Sequence, residues 1–172
     1  VITSIAVFNW GEYLGKGALE KGVRVTISPW RKFHSSSFPT TAKASGQYIN
    51  SMLAARDAKE KGFDEALLLN QEGTIAEGAG QNIFIVKNNQ LHTNIESASI
   101  LMGITRDTVI SIAKNENIVV NLEPLSLGQL FSADEVFFTG TASEITPVRE
   151  VDGRKIGGGK PGPITKDLQK KY

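Results

Sequence analysis

The chain has 172 residues, a formal net charge of +1 and ordinary fractions of apolar (40%) and charged (22%) residues, as expected for one soluble globular domain. Its dispersed basic residues argue against nucleic-acid binding, and the absence of cysteine excludes disulfides and thiol catalysis. No apolar run approaches the roughly 20 residues that span a bilayer and no signal peptide is recognisable, so we expect a cytoplasmic protein with no membrane partner.

The first half of the chain predicts two strands followed by a loop and a helix. Residues 1–8 and 23–27 alternate β-branched residues and are bounded by glycine or proline, which is typical of strands. From Gln47 to Lys61, apolar residues recur at three- and four-residue spacing, and Gly62 supplies a stop. This spacing predicts a helix.

The second half predicts hairpins, a second helix and buried strands. Residues 66–78 and 81–93 each contain two short β-type runs around a turn, which predicts an antiparallel meander. A helix is expected from about Thr105 to Glu116. Buried strands are expected at 118–122 and 135–140, a hairpin at 148–156 and a loop at 157–163. This order, without regular βαβ alternation, favours an α+β fold.

Both ends of the sequence resemble interrupted elements. The segment VITSIAVF resembles a strand already in progress, and ITKDLQKKY begins a helical pattern that stops at Tyr172. We therefore expect residues 1–172 to be one domain of a longer enzyme, truncated at the N-terminus and at the C-terminus.

A lysine and a glutamate are the first candidate reactive residues. Lys43 lies in PTTAKASGQY among small neighbours, where its amine is suited to Schiff-base chemistry. Glu77 is followed by Gly78, Ala79 and Gly80, so a flat ring could approach its carboxylate closely. If this acid is buried, it needs a cationic partner.

Two turns are suited to binding an anion. Residues 103–105 stand at a predicted helix start, where unpaired amides and the helix dipole attract a phosphate. Residues 140–142 follow a predicted buried strand and offer backbone amides and a hydroxyl to the same anion.

Each of these features has a simpler interpretation when it is taken alone. Lys43 would be a solvated surface charge, Glu77 a solvated residue in a glycine-rich turn, and Thr105 an ordinary N-cap. Together, however, they meet the requirements of pyridoxal phosphate. The aldehyde of this cofactor needs an amine, its pyridinium nitrogen an acid, and its phosphate several donors.

An ordered set of segments runs through the chain: FNWGEYLGKGALEKG, AKASGQY, EGAGQNIF, GITRD, TGTASEITPV and GPIT. These segments resemble the fold-type IV pyridoxal-phosphate enzymes, and most closely the branched-chain amino acid aminotransferases. The resemblance implies the larger domain of that fold, a mixed and antiparallel sheet forming a pseudo-barrel with flanking helices. It also implies transfer of the amino group of leucine, isoleucine or valine to 2-oxoglutarate, and a homodimer or higher homo-oligomer in the full-length enzyme.

The resemblance implies roles for individual residues. Lys43 would be catalytic and would hold pyridoxal 5′-phosphate covalently, Tyr48 would hydrogen-bond the phenolic oxygen, and Glu77 would bind the pyridine nitrogen. The residues implied to hold the phosphate are Ile104, Thr105 and Thr141. The residues implied to border the substrate are Trp10, Tyr13, Gly140, Thr141 and Ala142.

Departures from the family pattern leave alternatives open. Gln81 stands where the family often has glutamate, and we expect it to alter the polar surroundings of Glu77. We expect the smaller N-terminal domain of the family to be missing from residues 1–172, so a non-catalytic cofactor-binding fragment is one alternative. A 4-amino-4-deoxychorismate lyase and a D-amino acid aminotransferase share the same lysine, glutamate and phosphate turns. No metal site is predicted, since His34 and His92 are isolated in the sequence.

Overall fold

The computed structural model describes residues 2–8, 11 and 13–172. Its helices are α1 (Ala18–Lys21), α2 (Tyr48–Glu60), α3 (Ile104–Asn115), α4 (Leu127–Phe131) and α5 (Pro163–Lys171). Its strands are β1 (Val23–Ile27), β2 (Glu65–Leu69), β3 (Ile75–Gly78), β4 (Asn82–Lys87), β5 (Gln90–Thr93), β6 (Val120–Leu122), β7 (Glu135–Gly140), β8 (Glu144–Val151) and β9 (Arg154–Lys155). Short 3₁₀ turns lie at Ser45–Gln47 and Glu96–Ala98.

All nine of these strands belong to one mixed sheet. Its order is β3-β2-β1-β8-β7-β4-β5-β6, with β9 beside β8. The pairs β1–β2, β1–β8 and β5–β6 are parallel and the other pairs are antiparallel. The two predicted hairpins, β2–β3 and β4–β5, are confirmed, but the predicted meander is wrong. The hairpins lie apart in the sheet because β1, β8 and β7 pair between them.

The sheet curls until its two ends approach each other. The amide of Ile75 in β3 donates to the carbonyl of Leu125, just beyond β6, at 2.8 Å. The side-chain amide of Asn94, just beyond β5, donates to the carbonyl of Ile75 at 3.0 Å. These contacts confirm the expected α+β fold with a curled, half-barrel sheet and few helices.

Buried apolar residues cover both faces of the sheet. Leu67, Ile75 and Phe138 belong to the core enclosed by the curl. On the other face, Phe84 and Phe137 stack with ring centroids 5.0 Å apart, in the cluster that α3 and α5 cover. Strands β4 and β7 are buried on both faces, which explains their nearly continuous apolar sequences.

Helix α2 packs through its small residues. Ala54 and Ala58 are fully buried against Ala66 and Leu68, because small side chains let the helix approach the sheet closely. The apolar residues whose spacing predicted this helix lie on its outer face instead: Ile49, Met52 and Leu53 are 62%, 68% and 42% exposed.

Two predictions about strands are wrong. Residues 2–8 form no strand, and Ile2, Ile5 and Val7 are exposed. Alternation predicts a strand only where one face packs on a core and the backbone pairs with a neighbour. The segment 118–122 was expected to be a buried strand, but β6 covers only Val120–Leu122 and is half exposed at the sheet edge.

Turn chemistry was predicted correctly. Asn88 and Asn89 both adopt positive φ between β4 and β5, and Asp152 and Gly153 do so between β8 and β9. Such pairs produce the tight turns that match strand twist. Helix α4, which the sequence did not predict, begins with a capping box between Ser126 and Gln129. None of the helices in the described part of the chain is both long and apolar enough to cross a bilayer.

Candidate active site

One cavity of about 740 Å³ collects most of the residues that the sequence singled out. Its walls come from the loop before α2, strand β3, the turn before β4, the start of α3 and the turn after β7. The predicted site residues that line it are Tyr13, Lys43, Tyr48, Glu77, Ile104, Thr105, Gly140, Thr141 and Ala142. Trp10, the remaining predicted residue, lies outside the described residues.

Lys43 reaches the cavity from the loop that precedes α2. Its amine donates to the hydroxyl of Tyr48 at 3.0 Å. Gln47 supports this loop, since its buried side chain donates to the carbonyl of Ala42 at 2.5 Å. The side-chain oxygen of Gln47 has no partner, and the sequence did not identify this residue as part of the site.

Glu77 is buried on β3 with its carboxylate in the cavity wall. The amine of Lys32 lies 2.7 Å from its Oε1. Its Oε2 accepts from the side-chain amide of Asn82 at 3.0 Å and from the backbone amide of Leu101 at 3.1 Å. Burial raises the pKa of Glu77, and Lys32 is the strongest of the groups that oppose this rise. The interpretation of Glu77 as a solvated turn residue is therefore wrong.

Lys32 is the cationic partner that a buried acid at this position requires, and the sequence did not identify it. It is itself buried and lies in the loop after β1, where its backbone amide donates to the carbonyl of Leu69 at 2.8 Å. The adjacent Arg31 is exposed. The sequence indicated only that a buried Glu77 needs a cationic partner. The residues around Lys32 and Arg31 did not show which of the two cations is that partner.

The start of α3 points unpaired backbone amides into the cavity. The first intrahelical bond runs from Asp107 to the carbonyl of Gly103, the N-cap, so the amides of Ile104 and Thr105 have no partner within the helix. The N-cap is Gly103 and not Thr105. A Cβ at Gly103 would overlap the side-chain oxygen of Asn82.

The end of β7 and the turn after it add hydroxyl groups to the same cavity. Thr139 and Ser143 are buried, and their side-chain oxygens have no hydrogen-bond partner. Thr141 and Ala142 lie between them, and Thr141 is exposed. A buried hydroxyl without a partner carries a free-energy cost, which a bound group accepting from it would remove.

Tyr13 lines the cavity, and a second buried acid, Glu65, lies close enough to influence its pKa. The hydroxyl of Tyr13 lies 3.5 Å from where a Cβ of Gly80 would stand. Burial raises the pKa of Tyr13, as does Glu65, while Lys43 opposes the rise. Glu65 accepts from the side chain of Gln81 at 2.8 Å. Gln81 was expected to alter the polar surroundings of Glu77, but its side chain hydrogen-bonds Glu65 and the amide of Gly80 instead.

No cluster of three metal-binding side chains occurs in the part of the chain that the structure describes. His92 lies 2.7 Å from Glu123 and His34 lies 3.6 Å from Glu72. Each histidine thus has a carboxylate neighbour away from the residues that line the cavity.

Comparison with known families decides the relationship. The amino-transferase class IV family matches residues 1–151. The chain belongs to the class IV aminotransferase family. The matched residues include Lys43, Glu77 and the two turns at residues 103–105 and 140–142.

Curated class IV relatives include branched-chain aminotransferases. The chain is 46% identical over 168 residues to the branched-chain-amino-acid aminotransferase of Pseudomonas aeruginosa, covering 98% of the chain and 54% of that relative. It is 48% identical over 170 residues to a probable branched-chain-amino-acid aminotransferase of Aquifex aeolicus, with the same coverage of both chains. The chain thus spans about half the length of the curated relatives it matches.

Solved structures agree with this class IV assignment. The branched-chain amino acid aminotransferase of Escherichia coli superposes with a TM-score of 0.93 at 47% identity, covering 95% of this chain and 54% of that one. The branched-chain amino acid aminotransferase of Thermobaculum terrenum, in its PLP-containing holo form, gives a TM-score of 0.86 at 37% identity, covering 89% of this chain and 50% of that one.

Proposed function

We propose that this chain binds pyridoxal 5′-phosphate and forms the cofactor-binding half of a branched-chain-amino-acid aminotransferase. The reaction moves the amino group of L-leucine, L-isoleucine or L-valine to 2-oxoglutarate, giving a branched 2-oxo acid and glutamate. One observation carries the proposal: a single cavity collects an amine, a buried carboxylate and two groups of unpaired hydrogen-bond donors. The substrate class rests on the names of the relatives.

The unpaired donors fit a phosphate. The amides of Ile104 and Thr105 point from a helix N-terminus, where partial positive charge favours an anion. The partnerless hydroxyls of Thr139 and Ser143 lie in the same cavity. Thr141, exposed in the turn between them, is the further phosphate donor that we propose.

The buried carboxylate fits a protonated ring nitrogen. Glu77 lies on the cavity wall and carries a negative charge that only donors and cations can stabilise there. A pyridinium nitrogen is such a donor. In this assignment Glu77 holds that ring proton in place, and Tyr48 donates its hydroxyl proton to the phenolic oxygen of the same ring.

Lys43 is the proposed catalytic residue. Bound pyridoxal phosphate supplies an electron sink for the carbon that loses its proton. The amine of Lys43 holds the cofactor covalently at rest, and once freed it takes the proton from the α-carbon of the amino acid as a general base. Tyr48, 3.0 Å away, orients this amine.

The substrate is proposed to lie between Tyr13 and the turn after β7. Backbone groups of Gly140, Thr141 and Ala142 face the cavity and can receive the substrate carboxylate. Tyr13 supplies an apolar ring with a polar tip to the side-chain pocket. Trp10 is proposed to line the same pocket on the strength of the family resemblance.

Spectroscopy of lysine variants in the complete natural protein tests this proposal. The wild-type protein should absorb in the visible after incubation with pyridoxal phosphate, and borohydride should fix the cofactor to Lys43 in a peptide map. Lys43→Ala should lose both signals and all transamination. Lys114→Ala is the matched control, since this exposed lysine lies about 15 Å along α3 from the cavity. Wild-type turnover by Lys43→Ala would refute the proposal.

Substrate assays separate the related activities. Turnover of L-leucine with 2-oxoglutarate supports the proposal, whereas preferential turnover of D-alanine or of aminodeoxychorismate would assign a D-amino acid aminotransferase or a lyase. Borohydride-fixed cofactor without turnover of any of the three would identify a non-catalytic cofactor-binding protein.

We also propose that the complete enzyme is a homodimer or a higher homo-oligomer. The exposed apolar residues Ile49, Met52 and Leu53 on α2 support an assembly, because surface clusters of this kind mark association sites. Light scattering of the complete protein at several concentrations measures the oligomeric state, and a monomer at every concentration would refute it.

A further inference from the structure

Lys32 and Glu77 form a buried ion pair at the back of the cavity. The side chains are only 4% and 6% exposed, and the amine lies 2.7 Å from Oε1. We infer that Lys32 is a positioning residue that holds Glu77 as a carboxylate and leaves one of its acceptor positions directed to the cavity. The inference rests on the proposed function, since it concerns how Glu77 meets the cofactor ring.

The hydrogen bonds of Glu77 define which oxygen is available. A carboxylate offers about four acceptor positions, two on each oxygen. Oε2 uses both of its positions, for the amides of Asn82 and Leu101, while Oε1 uses one position for Lys32. The remaining position is on Oε1. A ring nitrogen and the amine of Lys32 therefore share one oxygen, so the presence of Lys32 governs how strongly that oxygen accepts.

Charge makes Lys32 necessary. An isolated carboxylate buried in protein takes up a proton instead of remaining charged. Among the described residues, the two cations that act on Glu77 are Lys32, in direct contact, and the more distant Lys43. Lys43 commits its nitrogen to the cofactor in the proposed reaction. Lys32 is then the cation that keeps Glu77 ionised throughout.

The loop that carries Lys32 is held in place from two sides. The backbone amide of Lys32 donates to the carbonyl of Leu69 at 2.8 Å, and its carbonyl accepts from the side chain of Gln71 at 3.2 Å. The carbonyl of Arg31 accepts from the side chain of Asn50 on α2 at 3.0 Å. These bonds place the amine of Lys32 before any ligand arrives, as a positioning role requires.

A double-mutant cycle without cofactor tests the coupling in the complete natural protein. Lys32→Met should lower the melting temperature by roughly 6 °C or more, because it leaves a buried charge without its partner. In a Glu77→Gln background the same substitution should leave the melting temperature unchanged or raise it, since it then removes a buried amine that has already lost its partner. Arg31→Met, on the exposed neighbour, is the matched control and should change little. Equal losses from Lys32→Met in both backgrounds would overturn the inference.

Cofactor titration at several pH values tests the consequence for the site. Lys32→Met should weaken binding of pyridoxal phosphate by roughly 10- to 100-fold, the loss that is typical when the group that orients a metal-binding side chain is removed. The acidic limb of its affinity–pH profile should move to higher pH, because Glu77 then ionises less readily. Lys32→Arg should restore the position of that limb. Superimposable profiles for the wild type and Lys32→Met would contradict the inference.

The two measurements separate the two proposals. A wild-type protein that binds no pyridoxal phosphate would refute the proposed function, while the cofactor-free cycle would still show whether Lys32 and Glu77 are coupled. Normal cofactor binding together with an absent coupling would refute only the role of Lys32.

Discussion

Two buried glutamates on neighbouring strands depend on different partners. Glu77 on β3 is paired with a lysine, whereas Glu65 on β2 accepts from the neutral side chain of Gln81 at 2.8 Å and from the amide of Ala66 at 2.7 Å. Burial raises the pKa of Glu65, and these two hydrogen bonds oppose the rise. The side chain of Gln81 is thus one of two donors that favour the charged form of the buried Glu65.

Substitution Gln81→Glu should make stability depend steeply on pH. The second carboxyl would face Glu65, and the two would share one proton, so that their combined pKa lies above the ordinary value of a glutamate. The folded state then binds more protons than the unfolded state above that ordinary value, and the free energy of unfolding falls as pH rises. The loss is about 1.4 kcal/mol for each unit by which the folded pKa exceeds the unfolded one.

Thermal melts of the wild type and Gln81→Glu between pH 5 and 8 measure this effect. The two melting temperatures should be closest at the acidic end and diverge toward pH 8. Gln90→Glu, at an exposed position on β5, is the matched control and should follow the wild-type profile. A constant difference between Gln81→Glu and the wild type across this range would contradict the prediction.

The start of α3 connects the two ends of the proposed cofactor site. The side chain of Asn82 donates both to Glu77 and to the carbonyl of Leu101, at 3.0 and 2.7 Å. Leu101 in turn donates to Glu77 at 3.1 Å. The segment with the amides that we propose to bind phosphate is therefore attached to Glu77, the acid that we propose to face the ring. Gly103 lies where these groups meet.

Substitution Gly103→Ala should weaken cofactor binding without destroying the fold. The backbone of Gly103 has φ −73° and ψ 140°, which alanine adopts freely, so the effect comes from the overlap of its Cβ with Asn82. Overpacking of this kind costs about 1–3 kcal/mol. Titration with pyridoxal phosphate should show the loss of affinity, and thermal melts should show the loss of stability. Gly128→Ala, which meets only ordinary contacts in α4, is the control and should retain wild-type affinity.

Local chemistry explains which elements the sequence predicted. The pair Asn88–Asn89 and the pair Asp152–Gly153 encode their turns within a few residues, so both hairpins were predicted correctly. Strand order depends on pairing between segments that are distant in sequence. Local chemistry does not encode this pairing, so the predicted meander was wrong. In the same way, local turn chemistry singled out residues 103–105 and 140–142, which both line the cavity. Lys32 was missed, because its role arises only when the loop after β1 lies against β3.

Helix α2 shows that the spacing of apolar residues predicts a helix but not which of its faces packs against the core. Its apolar residues at three- and four-residue spacing predicted the helix correctly, but Ile49 and Met52 face outward. Ala54 and Ala58 face the sheet instead, because β2 presents fully buried Ala66 and Leu68 that leave room only for small side chains. The space that the sheet leaves for the helix depends on the tertiary structure, and the spacing of apolar residues along the helix does not reveal it.

At the scale of the whole molecule, one asparagine joins the ends of the curled sheet. Asn94 is 1% exposed. Its side-chain amide donates to the carbonyls of Ile75 and Ala76, at 3.0 and 2.5 Å, and its side-chain oxygen accepts from the amide of Leu125 at 3.3 Å. Its own carbonyl accepts from the buried Arg106 of α3 at 2.8 Å. Strand β3, which carries Glu77, is therefore fixed to the segments that follow β5 and β6.

Substitution Asn94→Ala should destabilise the entire fold by about 3 kcal/mol or more, because it removes partners from buried backbone groups of Ile75, Ala76 and Leu125. Urea denaturation of the complete protein measures the loss, and the unfolding transition should remain single because one sheet joins these strands. Asn121→Ala is the matched control. That asparagine bonds Gln90 at an exposed edge, and its loss should leave the midpoint unchanged. An early, separate transition in Asn94→Ala that released only β3 would show instead that the two ends of the sheet unfold independently.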